Sequence, residues 1–273
     1  MSDYDEWIGF ERTATDTVSE RLAEHYRLTL DAMLADGDDL PGVHWCLAPD
    51  AYPSADLGRD GHPRTGLFLP KLPLPRRMWA SGEMTIAEGL RTGDTVTRVS
   101  TITDIRFKSG RSGDLGFVTV EHVYSAGGAT RIREKQMIVY RDDPDPAKPQ
   151  PAPPQADAWQ TVRQATVETT STLLFRYSAL TFNGHRIHYD HPYATGVEGY
   201  AGLVVHGPLQ ATWMQNMATS LLGRPPRTFA YRGLSPLICG APAIVEARKG
   251  DDRLELRVRN GDTNVTTMQA NAT

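Results

Sequence analysis

The chain has 273 residues, of which 40% are apolar and 23% charged, and a formal net charge of −4. It can therefore bury a substantial core, while its mild acidity and the lack of a dense Lys/Arg stripe exclude a typical nucleic-acid-binding protein. The two cysteines, Cys46 and Cys239, lie far apart and support neither a disulfide framework nor a cysteine-ligated zinc site, and no apolar run approaches the ~20 residues that span a bilayer.

The N-terminal half contains signals for one helix, one long loop and a run of strands. Its first residues, MSDYDEWIGF, are acidic and lack a basic start followed by an apolar block, which argues against a secretory signal or transit peptide and favours a cytoplasmic location. The stretch 17–34 is a helical candidate, and after a loop at 49–79 we expect strands at 95–107, 116–126 and 131–140. A loop this long in a compact domain tends to be functional or an irregular cover.

A proline-rich segment at 142–159 separates this half from the next. Its prolines and small polar residues cannot build a core and suit an extended linker. The chain on either side, 1–141 and 160–273, is in each case close to the size of a small domain. The sequence therefore predicts two domains joined by a linker.

The C-terminal half has its clearest helix signal at 207–226, GPLQATWMQNMATSLLGRPP. Pro208 stands where a helix would begin and Gly223 where it would stop, with prolines just beyond. Apolar residues form a main stripe with spacing of four and also flank it; they are Leu209, Trp213, Met217 and Leu221, with Ala211, Met214 and Ala218 beside them. A helix that is apolar nearly all round suits the centre of a wrapped sheet.

Strand signals follow this helix. The stretch 253–259, RLELRVR, alternates apolar and charged residues, and Asn260-Gly261 indicates a hairpin turn. The stretches 227–240 and 241–250 are two further strand candidates. The simplest architecture is of the α+β class, in which an antiparallel sheet wraps around a central helix and a second copy repeats the arrangement.

The stretch 180–191, LTFNGHRIHYDH, concentrates three histidines and an aspartate. A metal site is one interpretation, because His188-x-Asp190-His191 matches the tail of the metallo-β-lactamase-like motif H-x-H-x-D-H. However, His185 lies three residues before His188 rather than two, which turns it to the opposite face of an extended chain, and only His206 follows as a further histidine. We therefore expect no metal; a polar loop with locally bonded histidines is the plain alternative.

An acid–base site is the third interpretation of this loop. Shortly after it, the apolar run GLVV leads through His206 to Gly207 and then Pro208, which opens the predicted helix. A helix N-terminus offers unpaired N–H groups and a positive dipole end to a developing oxyanion, and glycine lets a carbonyl approach the backbone closely. An acid–base loop beside such a helix end is what proton transfer next to a carbonyl requires.

These paired motifs resemble a known family. FNGHRIHYDHPYA (182–194) followed by GLVVHGPLQATWM (202–214) is similar to the hydratase motif of MaoC-like hotdog enzymes, in their type 2 hydroxyacyl-thioester dehydratase branch. In the first half, 78–102 and 108–122 resemble the degenerate N-terminal hotdog of the same enzymes. The resemblance implies a double hotdog, with a degenerate hotdog at 1–141 and a catalytic hotdog at 160–273.

The common family motif, G-D-x-N-P-[IL]-H, transfers only in part. His188 falls on the family's catalytic histidine, whereas Asn183 falls where its catalytic aspartate normally stands. His185 replaces the motif's asparagine and Arg186 its proline. An asparagine cannot act as a base, but its amide can position a water.

The resemblance implies hydration or dehydration of an enoyl- or 3-hydroxyacyl-CoA without a metal or redox cofactor. We expect the thioester carbonyl to bind the N–H groups at Gly207. We expect His188, with a near-neutral pKa, to act as the general base and Asn183 to hold the water. Either Asp190 or His185 is expected to orient His188.

The same branch includes hydratases of branched C5 dicarboxylic acyl-CoAs, such as itaconyl-CoA and mesaconyl-C4-CoA. A free carboxylate on the substrate requires a cation, and Arg186 and Arg232 are the candidates. Arg186 is equally explained as a solvent-facing residue, and Arg232 as a residue at the rim of the sheet. His206 is a further candidate for substrate contact. Candidates for the CoA phosphates are Lys108 and Arg111, for which a plain hairpin turn is the better explanation, and, more weakly, Arg76 and Arg77.

Three other functions stay open. A 3-hydroxyacyl-thioester dehydratase of fatty-acid metabolism and a hotdog acyl-CoA thioesterase would use the same fold, and a non-catalytic acyl-binding module would bind without turnover. The first half has no equivalent of the histidine loop, so we expect one active site per chain, with the N-terminal hotdog shaping a substrate tunnel. Homo-oligomers are an expectation for such double-hotdog units.

Overall fold

The described part of the chain, residues 4–110, 113–143 and 153–273 of a computed structural model, contains one ten-stranded antiparallel sheet and four α-helices. The strands are β1 (Glu11–Thr17), β2 (Arg76–Ile86), β3 (Thr95–Gly110), β4 (Gly113–Ala126), β5 (Ala129–Arg141), β6 (Arg163–Val167), β7 (Thr228–Gly233), β8 (Ala243–Lys249), β9 (Leu254–Asn260) and β10 (Thr266–Ala272). The helices are α1 (Glu20–Leu30), α2 (Ser171–Thr181), α3 (His191–Gly196) and α4 (Gly207–Leu222).

The sheet joins the two halves of the chain. Its strand order is β1-β3-β4-β5-β2-β7-β10-β9-β8-β6, so the first five strands lie on one side and the last five on the other. The halves meet where β2 pairs with β7, for example Ser81 opposite Arg232. The division of the chain into domains stays a prediction, because the sheet is continuous across this seam.

Helix α4 is buried along most of its length. It begins at Gly207 with Pro208 in its first turn and ends before Gly223, whose φ of 68° is left-handed, as the sequence predicts. All residues from Leu209 to Thr219 are buried, and the helix packs against strands β7 to β10. Among its buried polar side chains, Gln210 accepts from Thr267 at 2.7 Å. The predicted central helix is therefore confirmed.

Helix α1 is shorter than the predicted 17–34 and packs differently. Ser19 caps it by accepting from the Leu22 N–H, and only Ala23, Tyr26 and Leu30 are buried. It contacts α2, a helix that sequence patterns did not indicate. The first-half sheet is consequently left without a helix as deeply buried as α4.

The predicted strands of the first half are present as β3, β4 and β5, whereas the expected strand at 227–240 ends at Gly233. Arg76–Trp79, assigned to the long loop, are the first residues of β2. The turn after Asn260 is longer than a two-residue hairpin, because β10 begins only at Thr266. Of the predicted linker, 144–152 lie outside the described residues, as does Arg111.

None of the helices in the described ranges is long and apolar enough to cross a membrane.

Candidate active site

A cavity of about 1360 Å³ lies between the two halves and is lined by both. The first half contributes His62, Trp45 and Trp79 to its wall, and the second contributes Asn183, His185, His188 and Gly207. Its size and mixed lining are typical of a small-molecule site. The cavity therefore brings together most of the residues that the histidine loop and the helix start single out.

His188 faces this cavity from a 3-10 turn, Arg186–His188. Its Nδ1 lies 2.7 Å from the Val204 carbonyl oxygen. Because a carbonyl can only accept, Nδ1 carries the hydrogen, and the lone pair of a neutral imidazole is on Nε2. The ring therefore has one nitrogen available as a proton or hydrogen-bond acceptor.

The electrostatic surroundings of His188 keep it neutral. Burial lowers its pKa well below the ordinary value, and the neighbouring His206 and His185 act in the same direction. The expected near-neutral pKa is therefore wrong for this site. The ring can accept a hydrogen bond at neutral pH, but its protonated form is disfavoured.

His206 lies behind His188 rather than in the cavity wall. The two rings stack with centroids 3.6 Å apart, and His206 is fully buried, with Nε2 2.8 Å from Ser178 Oγ. Burial lowers the pKa of His206 to about 3. His206 does not line the cavity, so the expected contact with the substrate is wrong. The ring packs against His188 and supports it instead.

Gly207 opens α4 in the cavity wall next to Trp79. A Cβ on this residue would lie 2.8 Å from Trp79 Cε3, so the indole occupies the space that any side chain would need. The first N–H groups of a helix have no partner within the helix. The helix start thus lies in the cavity wall, and its role as an oxyanion site stays a prediction.

Asn183 also lines the cavity, at the end of α2. Its Oδ1 accepts from the His185 N–H at 2.9 Å, which fixes the side chain and orients its amide NH₂ away from that bond. The amide hydrogens are the donors that a bound water would use.

Asp190 and Arg186 are engaged with each other outside the cavity wall. Asp190 caps α3 by accepting from the Tyr193 N–H at 3.1 Å, and its carboxylate lies 2.7 Å from Arg186 Nη2. Arg186 also donates to the Arg59 carbonyl and lies over the Tyr193 ring. The expectation that Asp190 orients His188 is therefore wrong, since the Val204 carbonyl accepts that bond.

Arg232 and Lys108 also lie away from the cavity. Arg232 is exposed on β7, because alternation along the strand turns Tyr231 into the core and Arg232 to the opposite face. Lys108 is exposed near the end of β3. The expectation that Arg186 or Arg232 contacts a substrate carboxylate is therefore wrong, because neither residue lines the cavity.

His185 is paired with a carboxylate that sequence reasoning missed. Its Nε2 lies 3.8 Å from Glu198 Oε1, and Glu198 in turn accepts from Arg76 Nε at 2.7 Å and from the Tyr193 hydroxyl at 3.1 Å. Burial alone would raise the pKa of Glu198, but His185 and Arg76 hold it below its usual value. Arg76 is therefore committed to this buried ion pair rather than free for a CoA phosphate.

The long first-half loop docks on the histidine loop. The Arg186 N–H donates to the Asp60 carbonyl at 2.8 Å, and a Cβ on Gly61 would lie 2.0 Å from the Gly184 oxygen. His62 from this loop stacks on His185, with ring centroids 4.3 Å apart. Asp60 Oδ2 lies 3.1 Å from His62 Nδ1 and 3.4 Å from Arg77 Nε.

One group of metal-ligand atoms is found in the described part of the chain. Oxygen and nitrogen atoms of Asp60, His62 and His185 all lie within 4.8 Å of one another. No sequence motif predicts this group, because two of its members come from a loop more than a hundred residues before the third.

Comparison with known proteins agrees with this arrangement. A family model described as hydroxyacyl-thioester dehydratase type 2 matches residues 42–239. A mesaconyl-C(4)-CoA hydratase from Chloroflexus aurantiacus is 40% identical over 265 residues, which cover 96% of this chain and 94% of that protein. The chain belongs to the type 2 hydroxyacyl-thioester dehydratase family.

Solved structures show the same fold at low identity. A MaoC-like dehydratase from Phytophthora capsici has a TM-score of 0.69 at 16% identity, covering 98% of this chain and 96% of that one. A Mycobacterium tuberculosis protein described as a double hotdog has a TM-score of 0.58 at 14% identity, covering 97% and 95%. The predicted family and the predicted double hotdog architecture are both confirmed for this type 2 dehydratase-family member.

Proposed function

We propose that this protein is a hydro-lyase that reversibly adds water to the C=C bond of an enoyl-CoA, with a branched C5 dicarboxylic acyl-CoA such as mesaconyl-C4-CoA as substrate. The observation that carries the proposal is the 40% identity, over nearly the whole of both chains, to a mesaconyl-C4-CoA hydratase. It is supported by a cavity that holds His188 beside the open N-terminus of α4.

In this proposal the thioester carbonyl binds at Gly207. The helix N–H groups and the positive end of the dipole stabilise the negative charge that develops on the thioester oxygen. Trp79 packs against the glycine and excludes water from that side. The indole can pack there because Gly207 has no Cβ, and the carbonyl binds on the side of the helix start that faces the cavity.

The water is held between the histidine loop and the substrate. Nε2 of His188 accepts a hydrogen bond from it, and the Asn183 amide donates to its oxygen. When this oxygen bonds to the β-carbon, the water loses one proton and the π electrons move to the thioester oxygen. The carbonyl reforms as the α-carbon takes up one proton, so that OH and H are added across the double bond. His188 and Asn183 thus fix the face of the double bond that water attacks.

The free carboxylate of a dicarboxylic substrate requires a cation inside the cavity. Arg98 lines the wall, and its Nε is buried with no hydrogen-bond partner among the residues that the structure describes. Its neighbour Asp50 is paired with both Arg98 and Arg12, so one carboxylate balances only part of the charge of these two guanidinium groups. We therefore propose Arg98, in place of Arg186 and Arg232, as the partner of the substrate carboxylate.

A second candidate function is dehydration of a 3-hydroxyacyl thioester of fatty-acid metabolism, which the matching family's description favours. It uses the same chemistry in the reverse direction and differs in the acyl group. Assembly into homo-oligomers and the lack of a cofactor beyond the CoA thioester stay predictions.

The test uses mesaconyl-C4-CoA, itaconyl-CoA and crotonyl-CoA in parallel, with each product identified by mass spectrometry. We expect gain of one water on a C5 dicarboxylic substrate and little on crotonyl-CoA. Preferential hydration of crotonyl-CoA would favour the fatty-acid function, and release of free CoA would indicate a thioesterase. Arg98→Met should lower turnover of mesaconyl-C4-CoA by about tenfold more than turnover of crotonyl-CoA.

A further inference from the structure

Two imidazole–carboxylate pairs meet at the cavity wall, which His62, His185 and Glu198 line. One consists of His185 and Glu198 from the second half, and the other of His62 and Asp60 from the first-half loop. The rings of His62 and His185 are packed at a centroid distance of 4.3 Å. The two loops are held together by backbone contacts, so this arrangement is built into the fold rather than made by flexible side chains.

The histidine loop offers His188 no carboxylate partner, because its Asp190 is paired with Arg186. Asn183 stands at the motif position of the family's aspartate, and His188 is backed by the neutral carbonyl of Val204. His188 is also stacked on His206, a second buried imidazole, at 3.6 Å. An imidazole that takes a proton is stabilised by a carboxylate on its other nitrogen, and His188 has none.

Of the two carboxylate-backed rings, His62 has the better geometry. Asp60 Oδ2 lies 3.1 Å from His62 Nδ1, which is within hydrogen-bond range, whereas Glu198 lies 3.8 Å from His185 and accepts from Arg76 and Tyr193 instead. The bond to Asp60 leaves the lone pair on Nε2 of His62. Arg77 Nε lies 3.4 Å from the same Asp60 oxygen and helps to fix the carboxylate.

We propose, on the basis of the hydratase function above, that His62 is a catalytic acid–base residue of this site and that Asp60 is its positioning residue. His62 removes the proton of the water whose oxygen bonds to the β-carbon, while His188 holds the other hydrogen of that water. The π electrons pass to the thioester oxygen at Gly207. As the carbonyl reforms, the α-carbon takes the proton from His62, which returns to its neutral form, so that one water is consumed and both rings are regenerated.

The electrostatics of the two rings agree with this division of roles. Burial lowers the pKa of His62 to about 4, but the hydrogen bond to Asp60 opposes that shift. Burial would raise the pKa of Asp60, but the bond to His62 and the charge of Arg77 hold it far below its usual range. The carboxylate is therefore ionised throughout the neutral range and available to balance a proton on His62.

A metal ion held by Asp60, His62 and His185 is the competing use of the same atoms. The 3.1 Å contact between Asp60 and His62 favours the proton-transfer role, because it is a hydrogen bond that a shared metal would replace. Metal content is therefore one of the measurements.

The experiment compares wild type with His62→Gln, His62→Ala and Asp60→Asn, using His191→Gln as the matched control. His191 is exposed in the same loop region and does not line the cavity. For each protein the readouts are kcat and KM for mesaconyl-C4-CoA, the Kd of its saturated analogue methylsuccinyl-C4-CoA, the response to added imidazole, and metal content by mass spectrometry.

We expect His62→Gln to lower kcat by about 10² to 10³-fold while the Kd of the saturated analogue changes less than about threefold. Added imidazole should restore part of the activity of His62→Ala, which a structural role would not allow. Asp60→Asn should lower kcat about tenfold with KM little changed, and His191→Gln should match wild type.

Two results would overturn the inference while the proposed function stands: His62→Gln within threefold of a wild type that is active, or a stoichiometric metal whose removal abolishes activity. A wild type without turnover on any enoyl-CoA would instead defeat the proposed function together with this step.

Discussion

The two halves of the molecule use the same sheet for different purposes. In the second half, short strands of five to seven residues close around α4, whose residues Leu209–Thr219 are all buried. In the first half, strands of up to 16 residues carry α1, which buries three residues and packs against α2. The second half is filled by its helix, whereas the first half leaves space that becomes the cavity.

This difference shows how one duplicated architecture produces a single active site. The filled half supplies a rigid helix start at Gly207 and the histidine loop that ends in His188. The other half supplies the cavity wall, including Trp79, and the loop that brings His62 against His185. Each half lacks what the other provides, so the site exists only at the seam.

The largest effect is expected from removing the ring that the second half contributes. His188→Ala should lower kcat for mesaconyl-C4-CoA by about 10³-fold, because the water loses the acceptor that orients it. The fold should persist, as measured by circular dichroism, and His191→Ala in the same region should keep wild-type activity. A His188→Ala protein within tenfold of wild type would mean that His188 does not orient the attacking water.

The next largest effect is expected on the stability of the fold, from breaking the ion pair that joins the two halves. Arg76 on β2 and Glu198 from the second half are both buried and 2.7 Å apart. Arg76→Met leaves the carboxylate buried without its charge partner and should lower the free energy of unfolding in urea by about 3–5 kcal/mol. The double variant with Glu198→Gln should recover part of that loss.

The matched control for the seam is Arg133→Met. Arg133 pairs with Glu121 at 2.7 Å but is exposed on β5. Its loss should cost at most about 1 kcal/mol, because solvent screens the pair. Equal losses for Arg76→Met and Arg133→Met would show that the seam is not held by the buried pair.

The parts of the fold that could be predicted from the sequence are those whose signals lie close together in the chain. Helix α4 was predictable because Pro208, Gly223 and the apolar stripe lie within one short segment. Strand β10, TTMQANA, was not: its short alternation rests largely on alanines, and its first two buried residues are the polar Thr266 and Thr267. Strand β2 was partly missed because its first residues continue a proline-rich loop.

The site residues could likewise be predicted only where they lie close together in the chain. His188, Asn183 and Gly207 could be found from a motif that is continuous in sequence. Glu198 and Arg76 could not, because the pair joins residues 122 positions apart and neither belongs to a recognisable motif. The long loop at 49–79 carried a weak general signal of function, but no spacing rule connects its His62 with His185. Only the folded seam brings them together.

A smaller effect should come from separating the two loops. Gly61→Ala places a Cβ 2.0 Å from the Gly184 oxygen, so the first-half loop must move away from the histidine loop. Displacements of about 1 Å near a reacting group cost about 10²-fold in rate, so we expect up to that loss of kcat.

Gly66→Ala is the control for that variant. Gly66 has the same left-handed backbone, with φ of 92° against 87°, but a Cβ there meets nothing within 4 Å. It therefore reports backbone strain without the clash. If both variants lost activity equally, the docking of the two loops would not be what positions the site.

The smallest effect is a pH dependence of stability that both halves share. Burial lowers the pKa of His44, His122 and His206 to about 3, with His122 also lowering that of His44. Below the ordinary histidine pKa of about 6.5 the unfolded chain binds protons that the folded chain excludes. Stability is therefore complete above that pH and falls as the pH decreases, by up to about 1.4 kcal/mol per pH unit for each ring.

Glu134 acts in the opposite direction over part of this range. Burial raises its pKa to about 6, so between about 4.5 and 6 the folded chain takes up a proton that the unfolded chain does not, which offsets one histidine. Urea unfolding at pH 7.5, 6.5 and 5.5 should thus show a net loss of stability on acidification. His44→Gln should reduce the slope by about one proton, because His44 is fully buried with neither ring nitrogen hydrogen-bonded in the described residues. The exposed His25→Gln should leave the slope unchanged, and an identical slope in His44→Gln would mean that His44 is protonated in the folded protein.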